Sequence, residues 1–185
     1  MYQITQWCHH FIKEHVRPGD FCIDATMGNG YDTALLCELV GEKGRVLAFD
    51  IQKIACENTL KRLQEANVPQ NYRLILDSHS HMNRYADAAC VNCIVFNFGY
   101  LPGGDHSLST KVSDSITAIE QGLLLLKKGG LMSLCIYRGG DSGFEEQTAL
   151  LTYLKALDHK KYLVILSSYY NRPNHPPIPV LIHKL

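Results

Sequence analysis

Ile4, Trp7, Cys8, Phe11 and Ile12, continued by His15, recur at the three-and-four spacing of one helical face, so residues 2–16 read as an amphipathic helix. Pro18-Gly19-Asp20 ends that stripe, and a short apolar run, Phe21-Cys22-Ile23, then closes on Asp24. From there the chain alternates between the two periods. Apolar runs at 46–49, 72–76, 91–98, 131–137, 162–168 and 178–183 read as strands. Helical stripes occupy about 31–40, 54–67, 109–127 and 143–157, with breaks at Gly41-Glu42-Lys43-Gly44 and Val68-Pro69. Residues 91–98 are almost all apolar, as in a central parallel strand covered on both faces. Lys127-Lys128-Gly129-Gly130 reads as a helix end, with cations in the last turn and glycine beyond it.

Strands alternating with helices predict an α/β fold: a mostly parallel, seven-stranded sheet with helices on both faces. Only a loop separates the final two strand runs, so the last strand is expected to pair antiparallel. The chain has 185 residues, 46% of them apolar and 19% charged, with no internal repeat or linker, and one domain over 1–185 is expected. The formal net charge is zero, which removes the nucleic-acid argument a strongly basic chain would carry but leaves room for a local basic patch. Seven cysteines, an odd number dispersed among apolar neighbours, suit a reducing compartment. Cys90-Val91-Asn92-Cys93 has no second pair to complete a zinc site, and His9-His10 and His79-Ser80-His81 are too sparse to predict a metal. Neither a signal peptide nor an apolar run near the ~20 residues of a membrane span is visible, and the expected location is cytoplasmic.

The chemistry concentrates where strand runs end. After Asp24 comes Ala25-Thr26-Met27-Gly28-Asn29-Gly30-Tyr31-Asp32-Thr33, a glycine turn leading into a helix, which brings backbone N–H groups close to a nucleotide-like ligand. Twenty residues past Gly30, the second strand ends in Asp50, placed to accept bonds from ribose hydroxyls. Thr33 stands where a dinucleotide fingerprint needs its third glycine, so a nicotinamide cofactor fits imperfectly. A bare turn with no ligand is the bland reading of the same residues. Asp77-Ser78-His79 and Asn97-Phe98-Gly99-Tyr100 end two further strands on the same edge. The first reads equally well as a ligand contact or as a turn or helix cap.

Asp24–Thr33 resembles motif I of the class I S-adenosylmethionine-dependent methyltransferases, with Thr26 where most carry the first glycine of the loop. The resemblance implies a Rossmann-like class I methyltransferase fold and S-adenosyl-L-methionine as cofactor. It also implies contacts from Asp24 and from the loop residues Thr26, Met27, Gly28, Asn29, Gly30, Asp32 and Thr33. Asp50 would hold the ribose, Ile51 or Gln52 would flank the adenine, and Asp77, Ser78 and His79 would lie at the adenine edge. Asn97-Phe98-Gly99-Tyr100 resembles the Asp/Asn-Pro-Pro-Tyr motif of amino-nitrogen methyltransferases, with Phe98 and Gly99 in place of both prolines. There Asn97 would aim an amine at the methyl group and also border the cofactor, while Tyr100 would stack a base. Asp105 and His106, on the next loop, are candidate proton acceptors or inert surface residues.

The run from Asn97 through Leu101-Pro102-Gly103-Gly104-Asp105-His106 looks like the signature of the bacterial Putative rRNA methylase family. Tyr137-Arg138-Gly139-Gly140-Asp141-Ser142-Gly143-Phe144-Glu145-Glu146 is similar to that family's Tyr-x-Gly-His-x-Gly-Gly-x-Glu-Glu, and Asn171-Arg172-Pro173-Asn174-His175-Pro176-Pro177 to its closing Asn-x-x-Asn-x-Pro-Pro. Gly140 and Ser142 depart from the pattern, standing for His and Gly. The resemblance implies methylation of the 5-aminomethyl group of 5-aminomethyl-2-thiouridine at the tRNA wobble position. Tyr100, Arg138, Arg172 and Asn174 would then bind the anticodon region, with Arg84, Lys13, Arg17, Tyr169, Tyr170 and His175 as further rim candidates. A homodimer is also expected. Zero net charge and the lack of an appended RNA-binding domain favour a small-molecule methyltransferase instead. The glycine loop and Asp50 taken alone would also suit an NAD-dependent oxidoreductase, or a non-catalytic scaffold that keeps a cofactor pocket.

Overall fold

The computed structural model describes residues 3–99, 112–137 and 140–185, without the side chains of 140–143. In chain order the elements are α1 (Ile4–His15), β1 (Phe21–Asp24), α2 (Tyr31–Val40), β2 (Arg45–Asp50), α3 (Lys53–Glu65) and β3 (Tyr72–Leu76). A 3-10 turn (His79–Arg84) leads to β4 (Val91–Phe98), α4 (Val112–Leu125), β5 (Leu126–Ile136), α5 (Gly140–Lys155), β6 (Tyr162–Leu166) and β7 (Ile178–Lys184). The strands form one sheet in the order β3-β2-β1-β4-β5-β7-β6. β1 through β5 pair in parallel, and β7 runs antiparallel between β5 and β6. The mostly parallel seven-stranded sheet with a reversed last strand matches the expectation from the sequence.

Alternation along the central strands sorts the core into two layers. Ile94, Phe96 and Phe98 of β4 face the side packed by Ala118, Ile119 and Leu123 of α4 and Leu150 and Leu154 of α5. Cys93 and Val95 face the other side, against Ile12 of α1, Leu36, Cys37 and Val40 of α2 and Leu63 of α3. β4 therefore has no wet face, which is why its sequence is so uniformly apolar. The parallel order places the carboxyl ends of β1, β2 and β4 side by side, with Asp24 opposite Ala48 on one neighbour and Val95 on the other.

The largest difference from the expected boundaries is at the entry to β5. α4 stops at Leu125, and β5 begins at once, at Leu126 instead of residue 131. Ala89 and Cys90 donate their N–H groups to the carbonyls of Leu124 and Leu125, and Leu126 pairs with Val91. The chain thus enters the ladder directly, and Lys127–Gly130 spans a register shift in the pairing with β4 instead of capping the helix. Among the described residues no helix is long and apolar enough to cross a membrane.

Candidate active site

The turn after β1 is held from below, from the side and from above. Below it, Asp24 is fully buried; Thr33 Oγ1 donates to its Oδ2 at 2.6 Å and the Thr26 N–H to its Oδ1 at 3.1 Å. Burial, then repulsion from Asp32, pushes the Asp24 carboxyl up to about 7. Asp24, expected among the cofactor contacts, lies beneath the loop and braces it. Met27 and Thr33 are likewise buried, Met27 packing with Ala48 and Ala55.

From the side, the Ala25 and Met27 N–H groups donate to the carbonyls of Val95 and Phe49, both at 2.9 Å, tying the turn to β4 and β2. From above, α3 contributes three bonds. Thr59 Oγ1 donates to the Gly28 carbonyl at 3.1 Å, Arg62 Nε to the Asn29 carbonyl at 2.5 Å and Asn58 Nδ2 to Asn29 Oδ1 at 3.0 Å. Gly30 has φ +78°, and a Cβ there would sit 2.9 Å from the Thr59 Cα, so only glycine allows this close helix-to-turn approach.

The tip of β2 meets this turn. Asp50 Oδ2 accepts the Gly28 N–H at 3.1 Å and Oδ1 the Gln52 N–H at 3.0 Å. Beside it Ile51 is 48% exposed, and Leu76, the strand partner of Asp50, is 56% exposed. These apolar side chains next to a carboxylate form a surface that a base and its ribose would cover. The backbone cradle, the carboxylate and the apolar flank fit an adenosine cofactor.

Asp77 and Ser78 take the capping role. Asp77 accepts from His81 Nδ1 at 2.8 Å, the Tyr85 hydroxyl at 2.9 Å and the Ser78 N–H at 2.7 Å, and the bond from His81 is the main cause holding its carboxyl below the usual range. Ser78 is the N-cap of the 3-10 turn, its hydroxyl accepting the Ser80 N–H at 3.2 Å. His79 is buried against the edges of Phe96 and Phe98, and burial lowers its pKa. Nδ1 lies 3.2 Å from the Ala25 carbonyl, which can only accept, so this nitrogen carries a proton.

Asn97, near the end of β4, is joined to the same turn. Its backbone N–H donates to Thr26 Oγ1 at 2.7 Å, and its Nδ2 donates to Asp32 Oδ2 at 2.5 Å. The other oxygen of Asp32 bonds His9 Nε2, from α1. These three side chains, with Cys8, Ser133 and Cys135, line a narrow, shallow cleft between α1 and the ends of β4 and β5. Asp32 thus faces His9 and Asn97 in this structure, while its neighbour Thr33 faces Asp24.

Sequence reasoning alone misses His9, which enters there only as a weak metal signal. Its place beside Cys8 and Ile12 on the buried stripe of α1 was the available signal, because a titratable residue on that stripe needs a polar partner. Nearby, Tyr169 packs against Ile4, Cys8 and Cys135, with the Arg172 guanidinium 6.0 Å from its ring centre. Arg172, Asn174 and His175 are exposed on the β6–β7 connection, and Tyr170 is fully exposed. Lys13 and Arg84 are exposed, whereas Arg17 folds back on the carbonyls of Lys13, Glu14 and Val16 at the end of α1. Glu146 is pulled inward, accepting the Ser115 hydroxyl at 2.6 Å, and burial raises its carboxyl. Tyr100, Asp105, His106 and Arg138 lie outside the described residues.

A family profile described as "Putative rRNA methylase" matches residues 46–183. Among curated proteins, the chain is 34% identical over 181 residues to a chloroplastic tRNA (mnm(5)s(2)U34)-methyltransferase of Arabidopsis thaliana, a match covering 93% of this chain and 66% of that relative's length. Among solved structures, it is similar to a putative rRNA-methylase from Clostridium thermocellum, with TM-score 0.95, 45% identity and 100% of this chain and 99% of that one covered. It is also similar to SMU.1697c, a putative methyltransferase from Streptococcus mutans solved in complex with SAH, with TM-score 0.89, 34% identity and 100% and 99% covered.

Proposed function

The chain belongs to the Putative rRNA methylase family, and we propose that it is an S-adenosylmethionine-dependent N-methyltransferase whose substrate is the 5-aminomethyl group of 5-aminomethyl-2-thiouridine at the tRNA wobble position. The observation that carries this reading is the bond from the Asn97 N–H to Thr26 Oγ1. It ties the corner suited to an amine directly to the glycine turn suited to the cofactor. The Arabidopsis relative, named for methylation at U34 of tRNA, supports the choice of substrate, and the neighbour solved with SAH supports the choice of cofactor.

In this reading the Asp50 carboxylate, oriented by the Gly28 and Gln52 N–H groups, would hold the ribose hydroxyls, and the backbone of Gly28, Asn29 and Gly30 would border the methionine moiety. Ile51, Gln52 and Leu76 flank the base. Asp24, Thr26, Met27 and Thr33 hold the turn in shape, and Asp77, Ser78 and His79 form the far wall. When bound, S-adenosylmethionine supplies an electrophilic methyl group on a sulfonium. The protein's work is then placement, because an in-line displacement responds steeply to approach geometry. The Asn97 carbonyl accepts an N–H of the substrate amine and turns its lone pair toward the cofactor side. The amine must be uncharged, so its extra proton passes to solvent water before the N–C bond forms. Arg172, Asn174 and the aromatic rings near them form the RNA rim.

Incubating the purified protein and cofactor with tRNA from cells lacking the modification, then measuring nucleosides by mass spectrometry, tests substrate and reaction together. A gain of one methyl on 5-aminomethyl-2-thiouridine is expected. No gain on tRNA, with turnover on a free amine, would establish instead the small-molecule methyltransferase that the zero net charge favours.

A further inference from the structure

His9 lies outside the segment that the family profile matches, and it belongs to a helix that a minimal nucleotide-binding sheet does not need. Yet it reaches over the carboxyl edge to a carboxylate that also touches Asn97. An amide side chain has two ends of similar shape and opposite chemistry, and which end faces the substrate decides whether it can accept an amine N–H and so aim the nitrogen lone pair. Here the carboxylate decides. A carboxylate only accepts, so the Asn97 atom facing Asp32 is the NH2, and the carbonyl oxygen points the other way.

Asp32 is in turn held at both oxygens, Oδ2 by Asn97 and Oδ1 by His9. Its side chain is 13% exposed and that of His9 is 23%, so water competes weakly for either bond. Asp32 also sits in the first turn of α2, where the helix end favours a negative charge. Its neighbour Thr33 fixes that turn to Asp24, so the carboxylate has a rigid base.

Resting on the amine-methyltransferase reading, we infer that His9 and Asp32 are positioning residues that lock the Asn97 amide with its carbonyl toward the incoming amine. His9 fixes the rotamer of Asp32, and Asp32 fixes the polarity of Asn97. α1 is in this respect part of the acceptor site as well as a cover for the sheet.

The test uses the full chain with H9A, H9N and D32N variants, and the Asn97 side-chain amide resonance assigned through N97D. Asparagine at position 32 can donate as well as accept, so D32N removes the polarity lock while keeping size. We expect D32N to lower kcat about 100-fold, the scale of a misplaced reacting group. H9A should lower kcat about tenfold, as for one lost hydrogen bond, and H9N, which keeps an N–H donor, should restore most of it. KM for tRNA should stay unchanged throughout, and cofactor affinity by calorimetry should stay unchanged in H9A and H9N. The Asn97 amide protons should shift and exchange faster in D32N and H9A.

An Asn97 amide resonance unchanged in D32N overturns the inference, whatever the kinetics. So does equal loss in H9A and H9N, which would point to packing. If the wild-type protein methylates no tRNA, the functional reading fails, and the amide resonance still decides whether the lock exists.

Discussion

Two acids eight residues apart divide the labour at the glycine turn. Asp24 is sealed away and Asp32 faces the cleft, so the cost of burial falls on Asp24. Folding raises the Asp24 carboxyl from an ordinary value near 4 to about 7. The folded protein therefore keeps a proton that the unfolded chain releases across that interval. Stability is fully present below pH ~4 and is lost as pH rises toward about 7, by a few kcal/mol at most. D24N, neutral at every pH, should flatten this slope, which urea titrations at pH 5 and pH 8 would measure. An unchanged slope in D24N would mean that another group is responsible. Gly30 gives a second test at this scale. Its φ of +78° and the 2.9 Å approach of the Thr59 Cα make G30A costly in strain and overlap, by about 1–3 kcal/mol in urea denaturation.

At the scale of elements, α3 acts on the site only through the turn it grips. Arg62 both donates to the Asn29 carbonyl and stacks its guanidinium 3.5 Å from the centre of the Tyr31 ring, joining α3 to the start of α2. R62A should cost about 1 kcal/mol of stability. It should also weaken S-adenosylmethionine binding severalfold in calorimetry while leaving the KM for tRNA in place, since the lost bonds border the cofactor side alone. The elements themselves were largely legible in the sequence. β4 declared its burial through a nearly continuous apolar run, and α1 through a clean stripe. The α4–β5 junction was not, because Lys127-Lys128-Gly129-Gly130 is locally a good helix end. What overrides it is pairing with residues 89–91, a partner about 35 positions away that no local window contains. His9 escaped for the same reason: its meaning comes from Asp32 and Asn97, on two other elements. Asp24 and Asp50 were visible because their position at a strand tip is itself a local pattern, although the depth of Asp24 was not.

At the scale of the whole molecule, a neutral chain with the proposed tRNA substrate must attract that polyanion locally. The sheet order makes this workable by gathering the ends of β1, β2 and β4 at one edge, beside α1 and the β6–β7 connection. Arg172, stacked over Tyr169 against the α1–β5 cluster, is the described cation best placed there, because its base is anchored while its charge stays in solvent. With few such cations among the described residues, the salt dependence of tRNA affinity should be shallow, with a log–log slope of about −2 for roughly three phosphate contacts on single-stranded RNA. R172E should then weaken binding at every salt concentration and make that slope shallower by about 1. Its cofactor affinity should hold, since the glycine turn is gripped by α3, β2 and β4 and not by that loop. Fluorescence titrations of tRNA between 50 and 200 mM salt, on the order of the range where such contacts are read, would decide it. A slope unchanged by R172E would move the RNA path to a different face, whereas a slope near zero in the wild type would favour a small neutral substrate over any RNA.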